Sequence, residues 1–257
     1  PSCEQAPDGT LLAVWQQDVA GGRDIRLARF SPEWLLGNKV AKGTALKPMT
    51  FVLFGESTTA RRGPLRVFGQ ILEEDLPSYG IQPTVINAGI GGEITPKGKE
   101  RFESEVLGKK PDVVTIYYGL NDGAVDVWKG ESAPRVTVKE FADNLRYFIA
   151  RLKEQGARPI LLTPNPCSWT AQQRELYGKP PYNVDEVEGH NIPLLEYVAA
   201  VREVAMSEKV ALVDVFDILQ RRAKESSYDA VLLDGVHPND LGHRIIADEL
   251  LKVIASM

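Results

Sequence analysis

Three side chains of this sequence, Ser57, Asp234 and His237, have the types and spacing that acyl transfer requires. Ser57 follows the apolar run Phe51–Phe54 and the pair Gly55 and Glu56, so its hydroxyl is expected at the end of a buried strand. A serine hydroxyl is a weak nucleophile until a base takes its proton, and imidazole serves best when a carboxylate fixes its tautomer. Asp234, Gly235, Val236 and His237 are consecutive, so one short loop supplies both base and carboxylate. Pro238 biases His237 toward extended backbone, which would help to hold the ring over Ser57. These residues read as a serine hydrolase.

The elements that must position them alternate from residue 49 onward. Strands are expected at Thr50–Phe54, Thr84–Asn87, Pro111–Tyr118, Arg158–Thr163 and Val210–Val215. A helix-period set, Leu65, Phe68, Leu72 and Leu76, follows the first strand. Thr137 and Glu140 form a capping-box pair ahead of a helix that places Phe141, Leu145, Phe148 and Leu152 on one face and stops at Gly156. Helices are also expected over Asn191–Ser207 and Leu241–Ile254, the latter capped by Asp240. Apolar runs without alternation, each followed by a helix, indicate parallel strands buried on both faces. The architecture that results is a three-layer α/β/α sandwich with about five parallel strands. Its ligand site belongs outside the strand C-termini, at the switch in strand order. Ser57, Gly89 and Asn121 each lie just beyond an expected strand end.

Residues 1–46 differ, and are read as a β-hairpin arm ahead of a catalytic domain over 47–257. Leu11–Trp15 and Ile25–Phe30 flank the glycines Gly21 and Gly22. The segment resembles the opening strands of a sialidase-like β-propeller blade, but a propeller needs several blades, so no sialidase activity is inferred. A lone hairpin is marginal in water, so the arm is expected to contribute to a homo-oligomer or to dock on its own domain.

Bulk properties narrow the function classes. A chain of 257 residues with 43% hydrophobic content suits one sizeable domain plus an appendage. The net charge of −5 argues against a nucleic-acid or anionic-membrane binder. Neither a signal peptide nor a membrane span is read in the given chain, which is expected to be soluble, its compartment open. Cys3 and Cys167 make no disulfide framework. The histidines, His190, His237 and His243, show no zinc-binding spacing, so neither metal nor cofactor is expected. His190 and His243 are read as surface residues.

The blocks from 55 to 238 resemble the SGNH (GDSL-type) hydrolase family, over about residues 49–257. Ser57 matches its nucleophile block, Gly89 in the run Asn87–Gly92 its second block, Asn121 in Gly119–Asp122 its third, and Asp234 with His237 its fifth. The resemblance implies a flavodoxin-like α/β/α fold, a Ser57–His237–Asp234 triad, and an oxyanion hole from the amides of Ser57 and Gly89 and the side chain of Asn121. Glycine at 89 would leave room for the acyl group. Glu56 stands where the family usually has Asp; it is read as a structural carboxylate satisfying backbone groups, so that Glu56→Asp should be tolerated.

The reaction expected is hydrolysis of short-chain, acetyl-type carboxylic esters, with a small molecule or carbohydrate as substrate. The long stretch Pro164–Gly189 carries Trp169, Tyr177 and Tyr182, and Trp128 follows the third block. Aromatics among polar residues suit sugar-ring stacking, whereas a lipase groove would want more aliphatic residues. Acyl thioesterase or lysophospholipase activity is the alternative within the enzyme class. A flavodoxin-like phosphate- or nucleotide-binding module is the alternative from another class, but it leaves Asn121, Asp234 and His237 without a role.

Overall fold

The computed structural model describes residues 2–5, 11–19 and 22–30 as strands, and residues 46–257 throughout. The chain divides into two compact units, residues 1–47 with 77–81, and residues 48–76 with 82–257. In the first unit β1 (Ser2–Gln5), β2 (Leu11–Val19) and β3 (Gly22–Phe30) form an antiparallel sheet in that order. β2 and β3 pair from Leu11 opposite Phe30 to Val19 opposite Gly22, the register of the expected hairpin. The third strand, β1, was not expected: its four residues are too few and too polar to show a pattern. Gly21 and the part of the proposed arm from 31 to 45 lie outside the described residues.

The second unit is built on a five-stranded sheet. β4 (Lys47–Gly55), β5 (Ile81–Gly89), β6 (Val113–Tyr117), β7 (Arg158–Leu162) and β8 (Ala211–Val213) lie in the order β5-β4-β6-β7-β8. β4, β6, β7 and β8 pair in parallel. Pro83, which cannot donate to a ladder, is accommodated because β5 is an edge strand. Phe51–Gly55 and all of β6 are buried, as continuous apolar runs require. The chain leaves β4 for β5 on one side and returns to β6 on the other, so the switch point lies between β4 and β6. There Gly55 pairs with Tyr117, which brings the ends of the first and third blocks side by side.

Helices cover both faces. α2 (Thr95–Glu105), α3 (Val138–Glu154) and α5 (Leu194–Glu208) pack together in one layer. α1 (Phe68–Asp75), α6 (Val215–Glu225) and α7 (Asp240–Ala255) form the other. A short α4 (Ala171–Tyr177) lies within the long connection after β7. The core beneath α2 and α3 is aromatic: Phe54 has the rings of Phe102, Tyr118 and Phe148 at 5.2, 5.0 and 5.1 Å. Offset and edge contacts at these separations add to the burial of the rings. α3 buries the expected face, Phe141, Leu145, Phe148 and Leu152, and Thr137 Oγ1 accepts from the Glu140 amide at 3.2 Å.

Two local expectations need correction. α7 is capped by Asn239, whose Oδ1 accepts from the Gly242 amide at 3.0 Å, and Asp240 is its first residue. Leu65 lies outside α1, which begins at Phe68. Among the described residues no helix is long and apolar enough to cross a membrane.

Candidate active site

Ser57 sits where β4 ends and a tight turn begins. The Glu56 carbonyl accepts from the amides of Thr59 and Ala60, both at 3.0 Å, and the Glu56 amide donates to the Tyr117 carbonyl of the neighbouring strand. Every residue from Phe51 to Thr59 is buried except Ser57. The turn therefore pushes one hydroxyl out of an otherwise closed layer.

His237 meets it from the loop before α7. His237 Nε2 is 3.0 Å from Ser57 Oγ, and its Nδ1 is 2.8 Å from Asp234 Oδ2. The carboxylate accepts a hydrogen bond from Nδ1–H, which leaves the Nε2 lone pair facing the Ser57 hydroxyl. Asp234 Oδ1 also accepts from the amides of Val236 and His237, at 3.1 and 2.8 Å, so the loop folds around its own carboxylate. Gly235 makes this turn at φ +82°, a conformation that favours glycine. The Gly235 and Val236 carbonyls are pinned by Ser168 and Asn165. Burial works to raise Asp234, but the hydrogen bonds and charge of His237 outweigh it and hold the carboxyl well below the usual range.

Asn121 arrives from the loop after β6, and Glu56 holds it there. Glu56, fully buried, accepts from the Leu120 and Asn121 amides at 3.0 Å each, and from the Asn121 side-chain Nδ2. Burial, and then the charge of Asp122, push this carboxyl up to about 8, against the three N–H donors that favour its ionised form. Asp122 is itself buried and receives the Thr95 amide and hydroxyl; burial raises it to about 6. On the other side, Asn121 Oδ1 accepts from Arg135 Nη1 at 3.0 Å.

These groups open on a cavity of about 180 Å³. Ser57, Asn121 and His237 line one end; Arg135, Gln173, Tyr177, Tyr182 and His190 form much of the wall, with Leu120, Leu176 and Leu194 between them. His190 is buried in a ring nest, with Trp169, Tyr182 and Tyr177 centred 4.8, 5.4 and 5.5 Å away. Its Nε2 is 3.1 Å from Gln173 Oε1, so that nitrogen carries the proton of a neutral ring. Burial lowers it to about 4. Cys167 also lines the cavity, and burial keeps its thiol protonated.

Residues 53–245 match the GDSL-like lipase/acylhydrolase family. The chain belongs to this family. It is an SGNH-type serine carboxylic-ester hydrolase. It is 26% identical over 219 residues to the isoamyl acetate-hydrolyzing esterase of Saccharomyces cerevisiae, covering 79% of this chain and 85% of that one. It is 28% identical over 189 residues to an acetylxylan esterase of Geobacillus stearothermophilus, covering 72% and 77%. A shorter match, 42% over 79 residues, spans 31% of the lipoprotein YqeF of Bacillus subtilis and 31% of this chain. The crystal structure of a lipase/acylhydrolase from Enterococcus faecalis superposes with a TM-score of 0.64 at 27% identity, over 81% of this chain and 96% of that one.

Within this SGNH hydrolase the structure brings Ser57, Asn121, Asp234 and His237 to one rim, and Tyr177 and Tyr182 to the cavity beside them. The Gly89 amide donates to Asn87 Oδ1 at 3.0 Å, and a Cβ on Gly89 would lie 2.3 Å from the Ala60 nitrogen, in the turn that carries Ser57. Two other expectations are corrected. Trp128 is half-exposed, its ring under Lys129, and does not line the cavity; Trp169 stands behind His190 as a buttress. His190 and His243 are buried rather than at the surface, the latter accepting the Phe68 amide at 3.3 Å and stacking on that ring.

Sequence reasoning missed Arg135, Gln173 and His190. None belongs to a motif or a periodic face; only the length of the stretch after β7 marked part of this region.

Proposed function

We propose that this SGNH hydrolase removes small acyl groups, acetyl foremost, from hydroxyls of a carbohydrate-type alcohol, with Ser57 as nucleophile, His237 as general base and Asp234 as orienting carboxylate. The observation that carries the reading is the hydrogen-bonded line from Asp234 through His237 to Ser57, ending at a small cavity. In the first step His237 Nε2 takes the Ser57 proton as Oγ attacks the ester carbonyl. The tetrahedral intermediate places its charge near the Ser57 amide and the Asn121 side chain, whose second N–H is not needed by Glu56. In this reading the remaining donor is the Gly89 amide, at the end of β5. His237 then protonates the leaving alcohol, and a water activated by the same ring releases the acid from the acyl-enzyme.

Two relatives are named for acetate esters of very different alcohols, isoamyl alcohol and xylan. What they share is the acyl group, which supports acetyl as the transferred unit. The aromatic and amide groups of Tyr177, His190 and Gln173 suit an alcohol with hydroxyls. The modest cavity volume disfavours the long acyl chains of the thioesterase or lysophospholipase alternative.

A fluorophosphonate should label wild-type protein once, at Ser57, and Ser57→Ala should remain unlabelled. Turnover should fall along a p-nitrophenyl ester series from acetate to palmitate, and acetylated xylose should be a substrate. Ser57→Ala with even a tenth of wild-type turnover would sink the nucleophile assignment, and a preference for palmitate would sink the acyl one.

A further inference from the structure

We infer that Arg135 is a positioning residue for this reaction: it holds the Asn121 side-chain amide with one N–H aimed into the cavity and strengthens that N–H as a donor. The inference rests on the oxyanion role proposed above for Asn121. Both ends of the Asn121 amide are held by residues outside its own block. Nδ2 donates to the buried Glu56 carboxyl, and Oδ1 accepts from Arg135 Nη1 at 3.0 Å. A half-turn of the amide would set Nδ2 against the guanidinium and Oδ1 against the Glu56 carboxyl. Donor would then face donor at Arg135, and the Glu56 carboxyl would lose the Nδ2 donor it accepts now, so the observed orientation is favoured at both ends. One Nδ2 proton is used by Glu56, and the other is left for the cavity that Ser57, Asn121 and Arg135 line together.

Arg135 is itself well anchored. Its Nε and Nη2 bind Asp126 at 3.1 and 2.7 Å, and Asp126 is 6% exposed. Its amide donates to the Ala124 carbonyl at 3.1 Å, and the Val136 amide to the Asp122 carbonyl at 3.1 Å, which ties this segment to the Asn121 loop. A planar guanidinium can serve Asp126 and Asn121 at once; an ammonium on a lysine stem cannot reproduce that fork. A cationic donor on an amide oxygen draws charge from the nitrogen and makes its N–H groups better donors. Asn121 would therefore meet the oxyanion both aligned and polarised.

A double-mutant cycle on kcat with p-nitrophenyl acetate tests this, using wild type, Arg135→Met, Asn121→Ala and the pair. Arg135→Met should lower kcat about 10- to 100-fold, with KM moving less, because misplacing a transition-state donor acts mainly on the chemical step. In the Asn121→Ala background the same substitution should cost less than about threefold, since the amide it orients is gone. A cost of about threefold or more in that background would overturn the inference, because Arg135 would then be acting by itself on the substrate or the fold. So would an unchanged kcat in folded Arg135→Met. If the Met variant does not fold, Arg135→Lys is carried through the same cycle with the same two overturning results. Asn121→Ala alone separates the two readings. Activity retained there removes the oxyanion role on which everything above depends; activity lost there, with Arg135 uncoupled, removes only the part given to Arg135.

Discussion

The rim of the cavity and its wall are built by different means. At the rim, Asp234 and Ser57 are held by their own neighbours in sequence: Asp234 binds the amides of Val236 and His237, and Ser57 rides on the turn capped by the Glu56 carbonyl. Asn121 is held from other segments, by Glu56 and Arg135. The wall is assembled by side chains packing on one another within the long connection after β7. His190 is set by Gln173, Trp169, Tyr177 and Tyr182, and Tyr182 Oη in turn accepts the Val125 amide at 2.9 Å. In the proposed reaction the rim acts on the acyl group and the wall faces the alcohol. If that division is right, damage at the rim should be severe for every ester, whereas damage at the wall should change which ester is preferred.

The largest effect should come from His237→Ala, a loss of at least about 10³-fold in kcat that is the same for p-nitrophenyl acetate and for acetylated xylose. A loss that differed tenfold between the two esters would break the division, because the base would then be reading the alcohol.

The wall should respond more mildly and selectively. Tyr177→Ala opens the side of the cavity without touching Ser57, Asn121 or His237. It should lower kcat/KM for acetylated xylose by about tenfold, an amount typical of one lost ring contact, while p-nitrophenyl acetate stays within about threefold. Equal losses on both substrates would mean that Tyr177 supports the rim rather than a subsite.

The same division governs what could be read from residues alone. The rim was legible because a turn or an Asp-x-x-His loop is written in consecutive residues, and the five strands because buried parallel strands are continuous apolar runs. At Gly89 the lack of a Cβ also serves the packing of β5 against the Ser57 turn, a contact between segments that spacing does not encode. Glu56 was read as satisfying backbone groups, which it does at Leu120 and Asn121; its bond to the Asn121 side chain was not foreseen. α2 escaped notice because Thr95–Glu105 buries only Thr95, Gly98 and Phe102, too few to make a period. His190 escaped because burial of a histidine depends on rings that arrive from 8 to 21 positions earlier in an irregular connection. Trp128 and Trp169 show the converse, since aromatic type without topology does not say which ring faces the ligand.

The smallest effect is on stability, and it sets the rim against the wall once more, since one buries an acid and the other a base. Glu56 is raised to about 8 and Asp122 to about 6, while His190 and His243 are lowered to about 4, burial being the first cause in each case. A raised acid keeps its proton in the folded chain after the unfolded chain has ionised, so stability falls as pH rises from the ordinary carboxylate range to the folded value. A lowered histidine acts in the opposite sense: stability falls as pH drops from about 6.5 toward the folded value. In mildly acidic solution the two pairs oppose each other, and above about pH 6.5 Glu56 is the one of the four still titrating. Urea unfolding should therefore show stability falling between pH 6.5 and 8, at most about 1.4 kcal/mol per pH unit from this group. Glu56→Gln, which cannot ionise, should flatten that slope even though it is less stable at every pH. A slope equally steep in Glu56→Gln would assign the titration to another group. A flat wild-type curve would mean that the N–H groups of Leu120 and Asn121 keep Glu56 ionised across the whole range, and that burial of the acid costs the rim nothing that pH can reveal.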